Sequence, residues 1–161
     1  MKRAGNLIPK IADIDNLRLA YYKAKLGKEA KPEVLAYSKN LNHNLGLLKQ
    51  QIQTGDIEVG NYHYFTIYDP KKRQICAASF AERVLHHALM NVCHPVFEQY
   101  QIWHNYATRP QKGTHKAIEK AAEYQKQYGY YLKMDVRKYF DSIDHAILLQ
   151  QLTKEIKDTL L

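Results

Sequence analysis

A mixed α+β fold is predicted by three features of the 161-residue chain. Several stretches carry apolar residues at helical spacing, two alternating runs flank Asp69-Pro70-Lys71-Lys72, and a third alternating run, residues 130–136, ends in an acid before another helical stretch. The resulting order is helices, hairpin, helix, loop, helix, strand, helix, without internal repeat or low-complexity tract.

Taken in order, residues 1–12 form a basic lead-in whose Gly5 and Pro9 discourage helix, expected on the surface or on nucleic acid. Asp13 or Asp15 caps a helix with Ile14, Leu17, Tyr21 and Ala24 on one face, ending near Gly27. After a basic connector, Pro32 opens one longer helix striped by Val34, Leu41, Leu45, Leu48 and Ile52 and stopped at Thr54-Gly55. Residues 61–68 and 73–78 are the strands of a hairpin with lysines at its tip. Ser79 and Glu82 fit a capping box, and Ala81, Val84, Leu85, Ala88, Leu89 and Val92 carry the next helix towards Pro95.

Residues 96–112 lack periodicity and read as an ordered loop, with Tyr100, Trp103 and Tyr106 ahead of Arg109, Pro110 and Lys112. Thr114 is expected to cap a helix whose Ala117, Ile118, Ala121 and Ala122 form a small face suited to close approach to a sheet. In residues 130–136, Tyr130, Leu132, Met134 and Val136 fall on one face and Tyr131, Lys133 and Asp135 on the other, the period of a half-buried strand. A turn at Asp141 and Ser142 precedes a helix marked by Ile147, Leu148, Leu149, Leu152 and Ile156, with Ser142 or Asp144 as its cap.

A net charge of +8 and a pI near 9.3 favour a polyanionic partner, because Lys and Arg displace the counterions condensed on nucleic acid. The 13 tyrosines, against 4 Phe and 1 Trp, serve either to stack on bases or to pack a core with the hydroxyl wet. Two cysteines, Cys76 and Cys93, are too few for a disulfide framework and suit a reducing compartment, so a cytoplasmic protein is expected. No apolar run approaches the ~20 residues of a membrane span, and no signal-peptide core is seen at the N-terminus, so no membrane partner is expected. His86, His87, Cys93 and His94 make a poor metal set, since on a helix His86 and His87 point about a third of a turn apart.

Leu132-Lys133-Met134-Asp135-Val136-Arg137-Lys138-Tyr139-Phe140-Asp141-Ser142-Ile143-Asp144-His145 resembles the first catalytic motif of reverse transcriptases, RNA-directed DNA polymerases with a right-hand fold. Three upstream blocks resemble the same enzymes, as found in group II introns. Asp69-Pro70-Lys71-Lys72-Arg73-Gln74-Ile75 is similar to the fingers segment, Phe80-Ala81-Glu82-Arg83-Val84-Leu85-His86-His87-Ala88-Leu89 to the next block, and Tyr106-Ala107-Thr108-Arg109-Pro110-Gln111-Lys112-Gly113-Thr114-His115-Lys116-Ala117 to the one after. Asn6-Leu7-Ile8, Tyr68-Asp69-Pro70-Lys71 and Lys112-Gly113-Thr114-His115 are most similar to the diversity-generating retroelement type, whose pattern Pro110-Gln111 departs from slightly.

The resemblance implies fingers within residues 1–129 and the start of the palm, with a short antiparallel sheet, in residues 130–161. By position it implies Asp135 as catalytic residue and ligand of two Mg²⁺ ions standing ~4 Å apart, with the Val136 carbonyl on the nucleotide-bound ion. It assigns Lys71, Lys72, Arg73, Lys138, Tyr139 and Phe140 to the incoming deoxynucleotide, Phe140 as the aromatic that excludes a ribose 2′-hydroxyl. Arg83, Arg109, Lys112, Gly113 and Thr114 are implied to bind nucleic acid. For each of these the bland alternative is a turn, a cap, a surface ion pair or core packing. Implied partners are template RNA, primer and cDNA, the deoxynucleoside triphosphate and a small basic helical accessory protein, in a bacterial or phage-encoded system. The Tyr-x-Asp-Asp hairpin that carries the other carboxylates is missing from the 161 residues, so the chain is expected to be an N-terminal piece inactive alone. The alternatives are a stand-alone RNA-binding module without catalysis and a protein-docking domain.

Overall fold

The structure, a computed structural model, describes residues 3–158. Seven α-helices and one two-stranded antiparallel sheet make up two compact units, residues 3–95 with 156–158, and residues 96–155. The first unit holds α1 (Ile8–Ile11), α2 (Ile14–Lys25), α3 (Pro32–Lys39), α4 (Leu41–Thr54), the hairpin β1 (Tyr62–Tyr68) and β2 (Lys72–Ala78), and most of α5 (Phe80–Tyr100).

Its core is made where four helices turn their apolar stripes inward: Ile11 from α1, Leu17, Ala20 and Ala24 from α2, Leu45 and Ile52 from α4, and Val84 and Ala88 from α5. Tyr21, Tyr37 and Phe80 close one side, with Tyr21 and Tyr37 stacked at 6.2 Å and Tyr37 edge-on to Phe80 at 5.2 Å. Ser38 Oγ donates to the Val34 carbonyl at 2.6 Å, which leaves the Tyr21 hydroxyl to donate to Ser38 at 2.7 Å. Loss of hydration beside Tyr21 pushes the Tyr37 phenol up to about 12. Asn16 stitches α2 to its surroundings, its amide donating to the Ile11 and Ala88 carbonyls while its oxygen accepts from Asn91.

The lead-in differs from its expectation. Pro9 sits in the first turn of α1, where the missing amide is not needed, and Leu7 and Ile11 are buried. The Asn6 and Leu7 amides donate to the Asp158 carboxylate, and Ala4 forms a parallel bridge with Ile156, so the segment is anchored rather than laid on the surface. The long helix expected from Pro32 is two helices. Asn40 leaves helical geometry at φ −120° and ψ 38°, and the Asn44 side chain takes up the Tyr37 carbonyl that the break sets free. Gly55 ends α4 in the left-handed region at φ 75°, as the sequence indicates. Helix α5 runs on through Pro95 to Tyr100, since a proline inside a helix removes one backbone bond without having to end it.

The hairpin register pairs Tyr62 with Ala78, Tyr64 with Cys76, Thr66 with Gln74 and Tyr68 with Lys72. Because side chains alternate, Tyr62, Tyr64, Tyr68 and Lys72 share one face, while His63, Phe65, Ile67, Arg73 and Ile75 share the other. Both strands are largely exposed, and the base of the hairpin is where they are tied down. There the Ser79 hydroxyl accepts from the Glu82 amide at 3.2 Å, Glu82 Oε2 accepts from the Ser79 amide and hydroxyl, and Glu82 Oε1 accepts from the Gly60 amide at 2.7 Å.

The second unit contains the end of α5, a loop, α6 (Thr114–Gln127), a 3₁₀ turn (Phe140–Ser142) and α7 (His145–Glu155). None of its described residues is fully buried. The strand expected over residues 130–136 is not formed: the segment carries no regular secondary structure and pairs with neither strand of the hairpin. The face of α6 with Ile118, Ala121 and Ala122 lines a groove with Tyr128, Tyr130 and Tyr131 instead of meeting a sheet. Gly113, not Thr114, is the N-cap of α6, and Asp144 rather than Ser142 caps α7, accepting from the Ala146 and Ile147 amides at 2.8 and 3.0 Å. Among the described residues no helix is long and apolar enough to cross a membrane.

Glu82 generates a pH prediction. The Gly60 amide, opposed by burial and helped by Ser79, holds its carboxyl below the ordinary value of 4.5. A carboxyl depressed in the folded state contributes stability above its unfolded pKa and loses it as pH falls through the folded one. Wild-type melting temperature, followed by circular dichroism, is expected to drop below about pH 4.5, more steeply than that of Glu82→Gln. At pH 7 Glu82→Gln is expected to cost about 1–3 kcal/mol, the range for breaking buried charged hydrogen bonds.

Candidate nucleic-acid interface

Lys71, Lys72 and Arg73 stand at the exposed tip of the hairpin. The register separates them: Lys72 is opposite Tyr68 on the tyrosine face, whereas Arg73 is opposite Ile67 on the face with Phe65 and Ile75. An arginine and a lysine next to each other in a strand cannot point at one phosphate from the same side. The group expected to act together is thus divided between two faces, with Lys71 in the turn.

Arg83 is on α5, but its guanidinium is engaged. Its Nη2 donates to Glu33 Oε1 of α3, and the group lies 5.5 Å from the Phe80 ring. The ion-pair alternative weighed for Arg83 is present, with a partner 50 positions away rather than a near neighbour on its own helix.

Arg109 is the most fully engaged of the three cations assigned to nucleic acid. Its side chain is only 8 % exposed; Nε and Nη2 donate to Glu98 Oε1 at 2.8 and 2.6 Å, and Nη1 to the Ile102 and Asn105 carbonyls at 2.7 and 3.1 Å. Every guanidinium nitrogen is used inside the loop, so Arg109 holds residues 98–109 together rather than facing a phosphate. Lys112 is drawn into the same loop. Its ammonium donates to the Trp103 carbonyl and sits 4.1 Å above the Trp103 ring and 5.3 Å from that of Tyr106. Desolvation, then the Arg109 charge, holds it below the ordinary lysine pKa, with Glu98 opposing. His104 completes the loop between the Tyr106 and Tyr124 hydroxyls, at 3.1 and 2.9 Å.

Gly113 has φ 107° and ψ −174°, a conformation for which glycine is nearly obligatory, and nothing lies within 4 Å of the Cβ it lacks. That geometry starts α6 and leaves the exposed Thr114 as its first residue. Of the five residues assigned to nucleic acid, Gly113 and Thr114 keep an open helix start, while the three cations are tied up within the protein.

The segment resembling the catalytic motif has Asp135 exposed, in a stretch without regular secondary structure. Val136 is exposed too, followed by a turn in which Lys138 adopts the left-handed region at φ 50°. The Ser142 amide and hydroxyl then close on the Lys138 and Tyr139 carbonyls. Tyr139 and Phe140 meet edge to face at 5.3 Å, and Phe140 is 84 % exposed, so it is not the core aromatic that its bland alternative describes. Among the described residues no three His, Cys, Asp or Glu side chains gather into a metal set. One carboxylate and one carbonyl are too few donors for two Mg²⁺ ions, each of which demands near-octahedral oxygen coordination.

Sequence reasoning missed the acidic partners. Glu33 and Glu98 have no fixed spacing to Arg83 and Arg109 that a local pattern would reveal. The tyrosine face of the hairpin was missed as well, although the even spacing of Tyr62, Tyr64 and Tyr68 is the signal that marks it.

Two substitutions check these assignments. Arg109→Lys is expected to lower stability by about 2–4 kcal/mol, because an ammonium cannot replace the planar fork and leaves Glu98 poorly matched. Equal thermal stability of the variant and wild type would show that the clasp is dispensable. Gly113→Ala should cost about 1–3 kcal/mol from backbone strain alone, with open space around the added methyl.

No family model matches the chain. It is similar to the COX1/OXI3 intron 1 protein of Saccharomyces cerevisiae, 22% identical over 159 residues that cover 96% of this chain. The chain spans 19% of that protein's length.

Proposed function

We propose that the chain is the fingers and the first part of the palm of an RNA-directed DNA polymerase, a reverse transcriptase of a retroelement. The observation that carries this reading is the exposure of Asp135, Val136, Lys138, Tyr139 and Phe140 along one short segment and turn. A segment evolved only to pack would bury Leu132, Met134 and Phe140, yet each is more than four-fifths exposed. Similarity to an intron protein over 96% of the chain, including the hairpin and the Asp135 segment together, supports the same reading.

In this proposal residues 130–136 become a palm strand when further strands pair with them, and the Tyr-x-Asp-Asp carboxylates join Asp135 to hold Mg²⁺. With further carboxylates beside Asp135, a bound Mg²⁺ would supply charge stabilisation for attack of a primer 3′-hydroxyl on the nucleotide α-phosphate, with pyrophosphate as the leaving group. This chain's own part is to offer Asp135 as one ligand, the hairpin cations to phosphates, and Phe140 as the ring against which a 2′-hydroxyl would clash. The finer reading is a diversity-generating retroelement enzyme, cytoplasmic, copying template RNA into cDNA with a small basic helical accessory protein beside it.

A second reading, an RNA-binding module without catalysis, is favoured by the self-contained core of residues 3–95. Both readings require RNA binding by the fingers. Affinity for single-stranded RNA, measured across a salt series for wild type and for Lys71→Ala/Lys72→Ala/Arg73→Ala, is expected to show a slope flattened by about two in the variant, roughly 0.7 for each phosphate no longer neutralised. An unchanged slope would take the hairpin out of the nucleic-acid track. Extension of a primed RNA template is expected to show no magnesium-dependent DNA synthesis by the chain alone. Synthesis abolished by Asp135→Ala would instead show a complete catalytic set here.

A further inference from the structure

We propose that the Tyr62, Tyr64 and Tyr68 face of the hairpin is a stacking platform for the bases of single-stranded RNA. The inference rests on the RNA-binding part of the reading above and adds to it a site, a face and a mode of recognition. Three observations support it.

First, the rings are presented to solvent from one side. Tyr62, Tyr64 and Tyr68 share a face by register, and all three are among the exposed large side chains, Tyr68 at 73 %. Strand geometry sets Tyr62 and Tyr64 about 7 Å apart and Tyr68 about 13 Å beyond Tyr64, with Thr66 between, and the shorter gap is roughly twice the 3.4 Å separation of stacked bases, so one base fits each ring without crowding the next. The opposite face is built differently, since His63 and Phe65 stack on each other at 5.9 Å and 28°. Its aromatic surface is partly satisfied within the protein.

Second, the charge on this face suits a polyanion. Lys72 pairs across the sheet with Tyr68, placing an ammonium beside the outermost ring. Between Tyr62 and Ala78 the hairpin carries Lys71, Lys72 and Arg73 against Asp69 as its single acid. Phosphates that follow bases along the tyrosines would meet Lys72 at the tip, whereas an apolar protein partner would have to strip its hydration.

Third, the central ring is positioned. Tyr64 lies directly opposite Cys76 in the hairpin register, so the two side chains are close neighbours on one face, and the thiol beside it raises the phenol's pKa. A ring held by a neighbour loses less freedom when a base stacks on it. Stacking needs only a π-face, so the platform is expected to tolerate sequence and to reject duplexes, whose bases are already stacked.

The test is fluorescence anisotropy of a labelled single-stranded oligouridylate with the full 161-residue chain at fixed low salt, with a duplex of the same length as competitor. Tyr64→Ala is expected to weaken single-strand binding about tenfold, Tyr64→Phe to restore most of it, and Phe65→Ala on the opposite face to leave it within about twofold. Duplex binding should be unchanged by all three. Circular dichroism melts verify folding, which surface positions on this hairpin should preserve; Tyr62→Ala gives a second variant if Tyr64→Ala melts early. Wild-type binding that Tyr64→Ala and Tyr62→Ala leave intact would overturn the platform and leave the fingers reading standing. Equal loss on single-stranded RNA and duplex, or a larger loss from Phe65→Ala, would also overturn it. Failure of the folded wild type to bind RNA at all would remove both.

Discussion

Both oxygens of the Glu82 carboxylate are committed at the base of the hairpin, and the exposed strands beyond depend on that commitment. Gly60 lies just before β1 and Ser79 just after β2, so one side chain grips the chain where it enters and where it leaves the sheet. A two-stranded hairpin on its own is marginal in water, and this one buries little on either face. Its order therefore comes from the clasp to the start of α5, where the carboxylate also meets the favourable end of the helix dipole. With the helix fixed by Val84 and Ala88 in the core, the position of Lys72, Arg73 and the tyrosines follows from buried side chains far from the tip.

The two units are stabilised in different ways. Residues 3–95 bury a contiguous set of side chains from α1, α2, α4 and α5, which supplies the apolar driving force for folding. Residues 96–155 bury none fully, so their organisation depends on directional bonds: Arg109 and Lys112 on loop carbonyls, His104 between two phenols, and Asp144 and Gly113 at helix starts. A loop closed by polar clasps keeps its shape without a core beneath it. The energetic consequence is that cations which look available in sequence are consumed in holding the loop, and their removal acts on structure before it acts on a ligand.

Features were legible in the sequence when the interaction that makes them is local. The Ser79–Glu82 box, the hairpin about Asp69-Pro70, the left-handed Gly55 and the Asp144 cap each involve residues within four positions and a specific backbone geometry. The break at Asn40 was not legible, since the apolar stripe continues across it and only the Asn44 bond to Tyr37 shows why a kink is tolerated. The acidic partners of Arg83 and Arg109 were not legible for a related reason. The blocks around these arginines resemble nucleic-acid-binding motifs, but Glu33 and Glu98 reach them through the fold. The alternation in residues 130–136 predicts a strand that does not form here, because pairing is a property of a partner strand and cannot be read from one strand's period.

The hairpin register bears on how a fingers element could serve two ligands at once. Consecutive residues Lys72 and Arg73 face opposite ways, so a nucleotide met by Arg73 and a single strand lying on the tyrosines occupy different sides of one thin sheet. In the proposed reading the sheet would separate them by its own thickness, and neither ligand would have to be displaced for the other to bind. Coupling between them would run through the shared backbone and its single buried anchor at Glu82. A change at that anchor would therefore disturb both faces together, whereas a change at either face would leave the other to its own chemistry.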